Sequence, residues 1–154
     1  MEIIFKPIGI VHSPFKEKED IKKSRNIDPK GFETVLGELE IFEEFAEGLQ
    51  DIDGYSHIIL IFAFHKSAER KLYAHPPFDD KRRGVFSTRS PNRPNPIGFS
   101  ILRLFKRDKN KLQVQGVDML EGTPILDIKP YTPRDLKPEA RFGWLEEWLN
   151  RVKP

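Results

Sequence analysis

Three prolines at positions 91, 94 and 96 constrain this chain more than any other feature of its sequence. They stand in the run R-S-P-N-R-P-N-P-I-G-F-S, residues 89–100. Proline fixes φ, removes an N–H donor and pushes the preceding residue toward extended backbone. The stretch is therefore stiff and irregular, neither helix nor central strand. It carries Arg89, Asn92, Arg93 and Asn95. Guanidinium forks and carboxamides held on a preset backbone equip a binding loop. A rigid surface loop with ordinary polar groups is the plainer reading of the same residues.

Around this loop the pattern is one of short strands. Residues 7–13 (P-I-G-I-V-H-S) read as a strand, followed by a lysine-rich excursion or lid over 16–31. In 37–42, Leu39 and Ile41 alternate with Glu38 and Glu40, the period-two pattern of a half-buried strand. Residues 43–51 read as a short helix with Phe45 and Leu49 on one face. The run 57–65, H-I-I-L-I-F-A-F-H, reads as a strand covered on both faces. An irregular stretch, 67–83, precedes a strand at 84–88 that enters the proline loop, and 97–106 leaves the loop as another. Residues 111–117 follow through the turn Asp108-Lys109-Asn110, and 124–131 form the last strand. The tail, 138–152, has apolar residues at 144, 145, 148, 149 and 152, a helical stripe suited to capping the protein's own core. The sum predicts a mainly β fold: a small β-barrel-like domain with short helices and a C-terminal amphipathic helix. At 154 residues without an internal linker, one domain over 1–154 is expected.

Composition removes several function classes. There is no cysteine, which excludes disulfides, zinc–thiolate sites and cysteine nucleophiles. The N-terminus M-E-I-I-F-K-P is unlike a signal peptide, and the longest apolar stretch, 58–64, is too short to span a bilayer. A cytoplasmic protein without membrane association follows. No dinucleotide or P-loop glycine motif and no H-E-x-x-H occurs. His57 and His65 are too far apart along one strand to share an ion, so no metal is expected. Net charge is +2, yet 65–111 holds thirteen Lys/Arg against four acids, a local +9 that leaves −7 elsewhere. A basic block around a rigid loop points to a polyanionic partner such as nucleic acid.

A second segment, D-M-L-E-G-T-P-I-L-D-I-K-P-Y (118–131), combines acids, a glycine turn and a strand bearing Asp127 and Lys129 on one face. An ordinary turn between strands is one reading of it. A site for a polar cationic ligand, an amino acid or a sulfonium, is the other.

Taken together, 84–100 and 118–131, with P-I-G-I-V-H-S-P-F-K-E-K (7–18) and G-Y-S-H-I-I-L-I-F-A-F-H (54–65), resemble the TsaA/TrmO-like family over about residues 5–133. The resemblance implies a β-barrel core, S-adenosyl-L-methionine as cofactor and a homodimer. It also implies tRNA as partner, with methylation of N6 of threonylcarbamoyladenosine at position 37. It implies cofactor contacts at Arg25, Asn26, Ile27, His65, Lys66, Arg89, Leu104, Leu120, Glu121, Gly122 and Thr123. Deprotonating a urea-like nitrogen calls for a general base, for which Asp118, Glu121 and Asp127 all remain open. Asn92, Arg93, Asn95 and Lys129 are the substrate-binding candidates. Bacterial members carry a further C-terminal domain, so the sequence is read as a short form. Two other classes compete: a non-catalytic S-adenosylmethionine-binding regulator and a small-barrel RNA-binding module.

Overall fold

A computed structural model describes residues 1–27, 31–77 and 79–152, without the side chains of 24–27. Its elements in chain order are β1 (Gly9–His12), α1 (Lys18–Ile27), β2 (Leu36–Ile41), β3 (His57–Ala63), β4 (Tyr73–Ala74), β5 (Arg83–Gly84), β6 (Ile97–Asp108), β7 (Lys111–Gln115), β8 (Pro124–Pro130) and α2 (Leu145–Val152). Contacts cluster into two compact units. One comprises Met1–Lys66 with Ile97–Tyr131, the other Ser67–Pro96 with Thr132–Pro154.

The larger unit is a closed antiparallel barrel in the order β1-β2-β7-β6-β3-β8, with β8 returning to β1. Closure follows from the side-chain pattern. On β6, Gly98, Ser100, Leu102 and Leu104 turn inward while Ile97, Phe99, Ile101 and Arg103 turn out. Inward residues from all six strands, among them Val11, Leu39, Leu60, Leu102, Leu112 and Ile125, are fully buried together. Joining the last strand to the first also removes the exposed edges that an open sheet would present. Where β6 leaves the proline loop, Gly98 packs under the Phe62 ring. A Cβ there would sit 2.3 Å from two ring carbons, so only glycine fits without movement.

The barrel expected from the strand pattern is present, and β3 is covered on both faces, with Ile58, Ile59, Leu60 and Phe62 buried. Three local expectations are corrected, and the short helix expected over 43–51 is present in a tighter form. Residues 84–88 are not a strand: after β5, the Thr88 N–H and the Ser87 hydroxyl bond back to Val85 and Gly84 carbonyls, closing a 3-10 turn. Residues 43–51 form a 3-10 helix, Glu43–Leu49, whose N-cap Phe42 offers no side-chain acceptor to start an α-helix. The tail helix is shorter than 138–152. Gly143 sits at φ +53°, off helical backbone, and the Glu146 carboxylate accepts the Phe142 N–H, so regular helix begins at Leu145. No residue of α2 is buried, so the core-capping expectation finds no support within that helix. The lysine-rich excursion holds α1, opened by Asp20, whose carboxylate accepts the Lys16 and Glu17 N–H groups. Among the described residues no helix is long and apolar enough to cross a membrane.

Candidate functional site

Strand direction brings one set of residues to a single end of the barrel. β1 runs antiparallel to β8 with Ile10 opposite Pro124, so the end of β1 lies beside the turn that precedes β8. β3 also runs antiparallel to β8, and its last residue, Ala63, pairs with Ile97 at the start of β6. His65 and Lys66 therefore emerge at the same rim as residues 118–123. The turn is sewn into β1 by Val11 N–H to Thr123 O at 2.9 Å and Gly122 N–H to Val11 O at 2.9 Å, and to the residues just after β1 by Glu121 N–H to Phe15 O at 2.7 Å. Gly122 sits at φ +81°, where a side chain would be strained, and the buried Thr123 hydroxyl closes the turn on Leu120 O at 2.6 Å.

The side chains at this rim form a clamp around Glu121. One of its oxygens accepts the Ser13 N–H at 2.7 Å, and the other lies 2.8 Å from His12 Nδ1. His12 Nε2 is 3.3 Å from Glu40 Oε1 on β2, so the imidazole spans two carboxylates. The Ser13 hydroxyl donates to Met119 O at 2.6 Å. The hydrogen bond to Glu121 raises the His12 pKa, against partial burial. Burial alone would raise the Glu121 pKa, but the Ser13 N–H and His12 outweigh it and hold the carboxyl below its ordinary range. His12 and Glu121 also line a groove of about 660 Å³ that includes Phe105 and Gln113. Sequence reasoning did not single out His12. Its place at the end of P-I-G-I-V-H-S was a signal, but its carboxylate partner lies 109 residues away.

The base candidates part company. Asp118 is at the rim and accepts the Ser100 hydroxyl at 2.7 Å. Asp127 is on β8, where it pairs with Lys129 at 2.8 Å and lines a separate cavity with Ile8, Phe45 and Ile128. That bond raises the Lys129 pKa. Leu104 and Leu120 are both buried, the former within the barrel core. Partial desolvation, then the neighbouring Lys66 charge, lowers the His65 pKa. The side chains of Arg25, Asn26 and Ile27 lie outside the described residues. Among the described residues no cluster of His, Asp and Glu is arranged to hold a metal ion.

Arg89, Asn92, Arg93 and Asn95 belong to the smaller unit. Its proline loop is braced from within. Arg93 Nη1 donates to Thr88 O at 2.9 Å and Ser90 O at 3.1 Å, and the buried Ser67 hydroxyl lies 2.7 Å from Asn92 Oδ1. Arg89 and Asn95 are exposed.

Comparison with known proteins decides the family. The model of the tRNA-methyltransferase O N-terminal domain matches residues 10–135. The chain belongs to this family. Over 152 residues it is 46% identical to a probable S-adenosyl-L-methionine-binding protein of Pyrococcus abyssi, covering 98% of this chain and 80% of that one. It is 33% identical to the tRNA (adenine(37)-N6)-methyltransferase of Rattus norvegicus, covering 90% of this chain but 34% of the rat protein. A crystal structure of TrmO superposes with a TM-score of 0.74 at 36% identity, over 93% of this chain and 64% of that one. The stretch matched to the tRNA-methyltransferase O domain takes in the clamp, the 118–123 turn and the proline loop.

Proposed function

We propose that this chain is an S-adenosylmethionine-dependent tRNA methyltransferase that modifies N6 of threonylcarbamoyladenosine at position 37, working as a cytoplasmic homodimer. The observation that carries the reading is the rim turn 118–123, pinned by two backbone bonds to β1, by a third to Phe15 just beyond it, and by the His12–Glu121–Ser13 clamp. Such a turn is preorganised rather than assembled on binding. The names of the Pyrococcus and rat relatives, one for cofactor binding and one for adenine-37 methylation, support the same reading.

The residues present fit the cofactor by their chemistry. Lys66 supplies a cation for a carboxylate and the turn's backbone and acids negative potential for a sulfonium; Leu120, buried in the turn, gives them an apolar backing, while Leu104 is buried within the barrel core. S-adenosylmethionine, when bound, supplies an electrophilic methyl group. The chain's own contribution is then to position the two reactants and to remove a proton. Glu121 serves the turn, because both its oxygens are engaged. Asp127 serves the ion pair with Lys129. Asp118, held at the rim by the Ser100 hydroxyl that it accepts at 2.7 Å, is the carboxylate we assign as proton acceptor. Arg89 is assigned to the cofactor; Asn92, Arg93, Asn95 and Lys129 are assigned to the RNA substrate. The dimer is supported by the outward residues Ile97, Phe99, Ile101 and Phe105 on β6, each 41–49% exposed, a largely apolar row, interrupted by Arg103, that suits a second copy. Sedimentation equilibrium checks it, and a monomer at all concentrations removes it.

The deciding experiment incubates the protein with labelled S-adenosylmethionine and tRNA, then digests the tRNA for nucleoside mass analysis. The expected product is threonylcarbamoyladenosine heavier by one methyl, with Asp118→Asn losing roughly a hundredfold or more in rate at unchanged cofactor affinity. Cofactor binding without transfer to any tRNA would instead favour a regulatory protein.

A further inference from the structure

The smaller unit contains a groove of its own, of about 480 Å³, lined by Lys71, Tyr73, His75, Arg82, Ser90 and Asn92. Its size is that of a small-ligand cleft. The two-stranded pairing of β4 with β5 builds one wall. Tyr73 faces Gly84 in register, Ala74 faces Arg83, and the Val85 N–H bonds to Leu72 O at 2.9 Å. This brings the Arg82 guanidinium over the Tyr73 ring, 3.9 Å from its centroid. The pair is cationic, and the tyrosine is 51% exposed.

The proline loop forms the facing wall. Asn92 Oδ1 lies within hydrogen-bond distance of the buried Ser67 hydroxyl, so the NH₂ end of the carboxamide is the donor left for a ligand. The Asn92 N–H in turn bonds to Ser90 Oγ at 3.3 Å. Of the nearby acids, one is held by a cation outside the groove and one pairs loosely with Lys71 of the groove itself. Asp79 holds Arg83 at 2.7 Å, and Glu69 meets Lys71 at 2.9 Å in a pair more than half exposed on both sides. Among the described residues neither Arg82 nor His75 is ion-paired. The groove thus offers cations, a stacked aromatic platform and amide and hydroxyl groups. Phosphates, a base face and a base edge are the complement of that set.

We propose that this groove holds a single-stranded segment of the RNA substrate. Lys71, Arg82 and His75 meet its phosphates, and one base lies against the Tyr73–Arg82 stack within reach of Asn92 and Ser90. The inference rests on the reading of the chain as a tRNA methyltransferase and adds the place where the strand lies.

The test is fluorescence anisotropy with a labelled RNA hairpin of anticodon-arm size, titrated at several salt concentrations. S-adenosylmethionine binding is measured in parallel by calorimetry. The expected result for the double variant Lys71→Ala/Arg82→Ala is a loss of affinity of roughly tenfold or more, with the salt slope reduced by about 2. Tyr73→Ala is expected to lose on the order of tenfold and Tyr73→Phe almost nothing, because stacking needs the ring and not the hydroxyl. Cofactor affinity and melting temperature should be unchanged throughout. A control, Lys109→Ala/Lys111→Ala on the β6–β7 hairpin, should keep RNA affinity within about twofold. RNA binding that survives the groove variants overturns the inference and leaves the methyltransferase reading standing. Absence of RNA binding by the unaltered protein overturns both. Displacement by tripolyphosphate as effective as by unlabelled RNA would reduce the groove to a phosphate cradle and overturn the nucleotide assignment.

Discussion

In the barrel, six strands turn Val11, Leu39, Leu60, Leu102, Leu112 and Ile125 into one fully buried cluster. In segment 67–96, the described residues bury only Ser67, Pro76 and Val85. The order of that segment comes from prolines and from side chains bonding to nearby backbone, as Arg93 does to Thr88 O and Ser90 O. The contrast has a consequence for mutation. Where apolar burial sets the shape, a substitution acts first on stability. Where chain stiffness and local hydrogen bonds set it, side chains are left outward and a substitution acts first on binding. The rim turn lies between these cases: its backbone is woven into the barrel, and its polar groups point to a groove.

The largest effect expected is in the core. Leu60→Ala should cost about 2–5 kcal/mol, measured by denaturant unfolding, because a fully buried side chain leaves a cavity that strands cannot easily close. Gly98→Ala comes next, at about 1–3 kcal/mol, since the new methyl must displace the Phe62 ring or the strand. In the smaller unit, Ser67→Ala removes a hydroxyl bonded to Pro91 O and Asn92. It should cost about 1 kcal/mol, read as faster amide exchange in the proline loop with the barrel's own exchange unaltered. A barrel destabilised as much by Ser67→Ala as by Leu60→Ala would erase the contrast.

The smallest effect is a pH dependence at the rim. The His12 pKa is raised in the folded protein, so its contribution is complete below its ordinary 6.5 and fades as pH rises through the higher folded value. The Glu121 pKa is lowered, so its contribution is complete above its ordinary 4.5 and fades as pH falls through the lower folded value. Comparing wild type with His12→Gln, the difference in melting temperature should be largest between these two values and shrink toward alkaline pH. A difference that grows with pH would contradict the clamp.

The barrel was readable from sequence because its signals are local and repeated. Leu39 and Ile41 alternate with glutamates, the β3 run is continuous, and the turn at Lys109 takes the positive φ of 55° that its polar neighbours suggest. Residues 84–88 misled because Gly84 and Val85 resemble a strand, while Ser87 and Thr88 hydroxyls bonding back to their own backbone fold it into a turn. Of the site, the 118–123 turn and the proline loop were legible as motifs. The link from His12 to Glu121 was not, because only closure of β8 onto β1 makes those residues neighbours. The groove at Tyr73 and Arg82 was hidden for a similar reason: a two-residue strand pair has too little periodicity to read.

The most direct measurement is calorimetric titration of Arg89→Ala with S-adenosylmethionine, with a thermal melt of the same sample. Arg89 is exposed and lies in the segment whose side chains are expected to act on binding. The account predicts that cofactor binding is lost while the melting transition stays almost where it was. Normal binding, or a protein that unfolds, would contradict it.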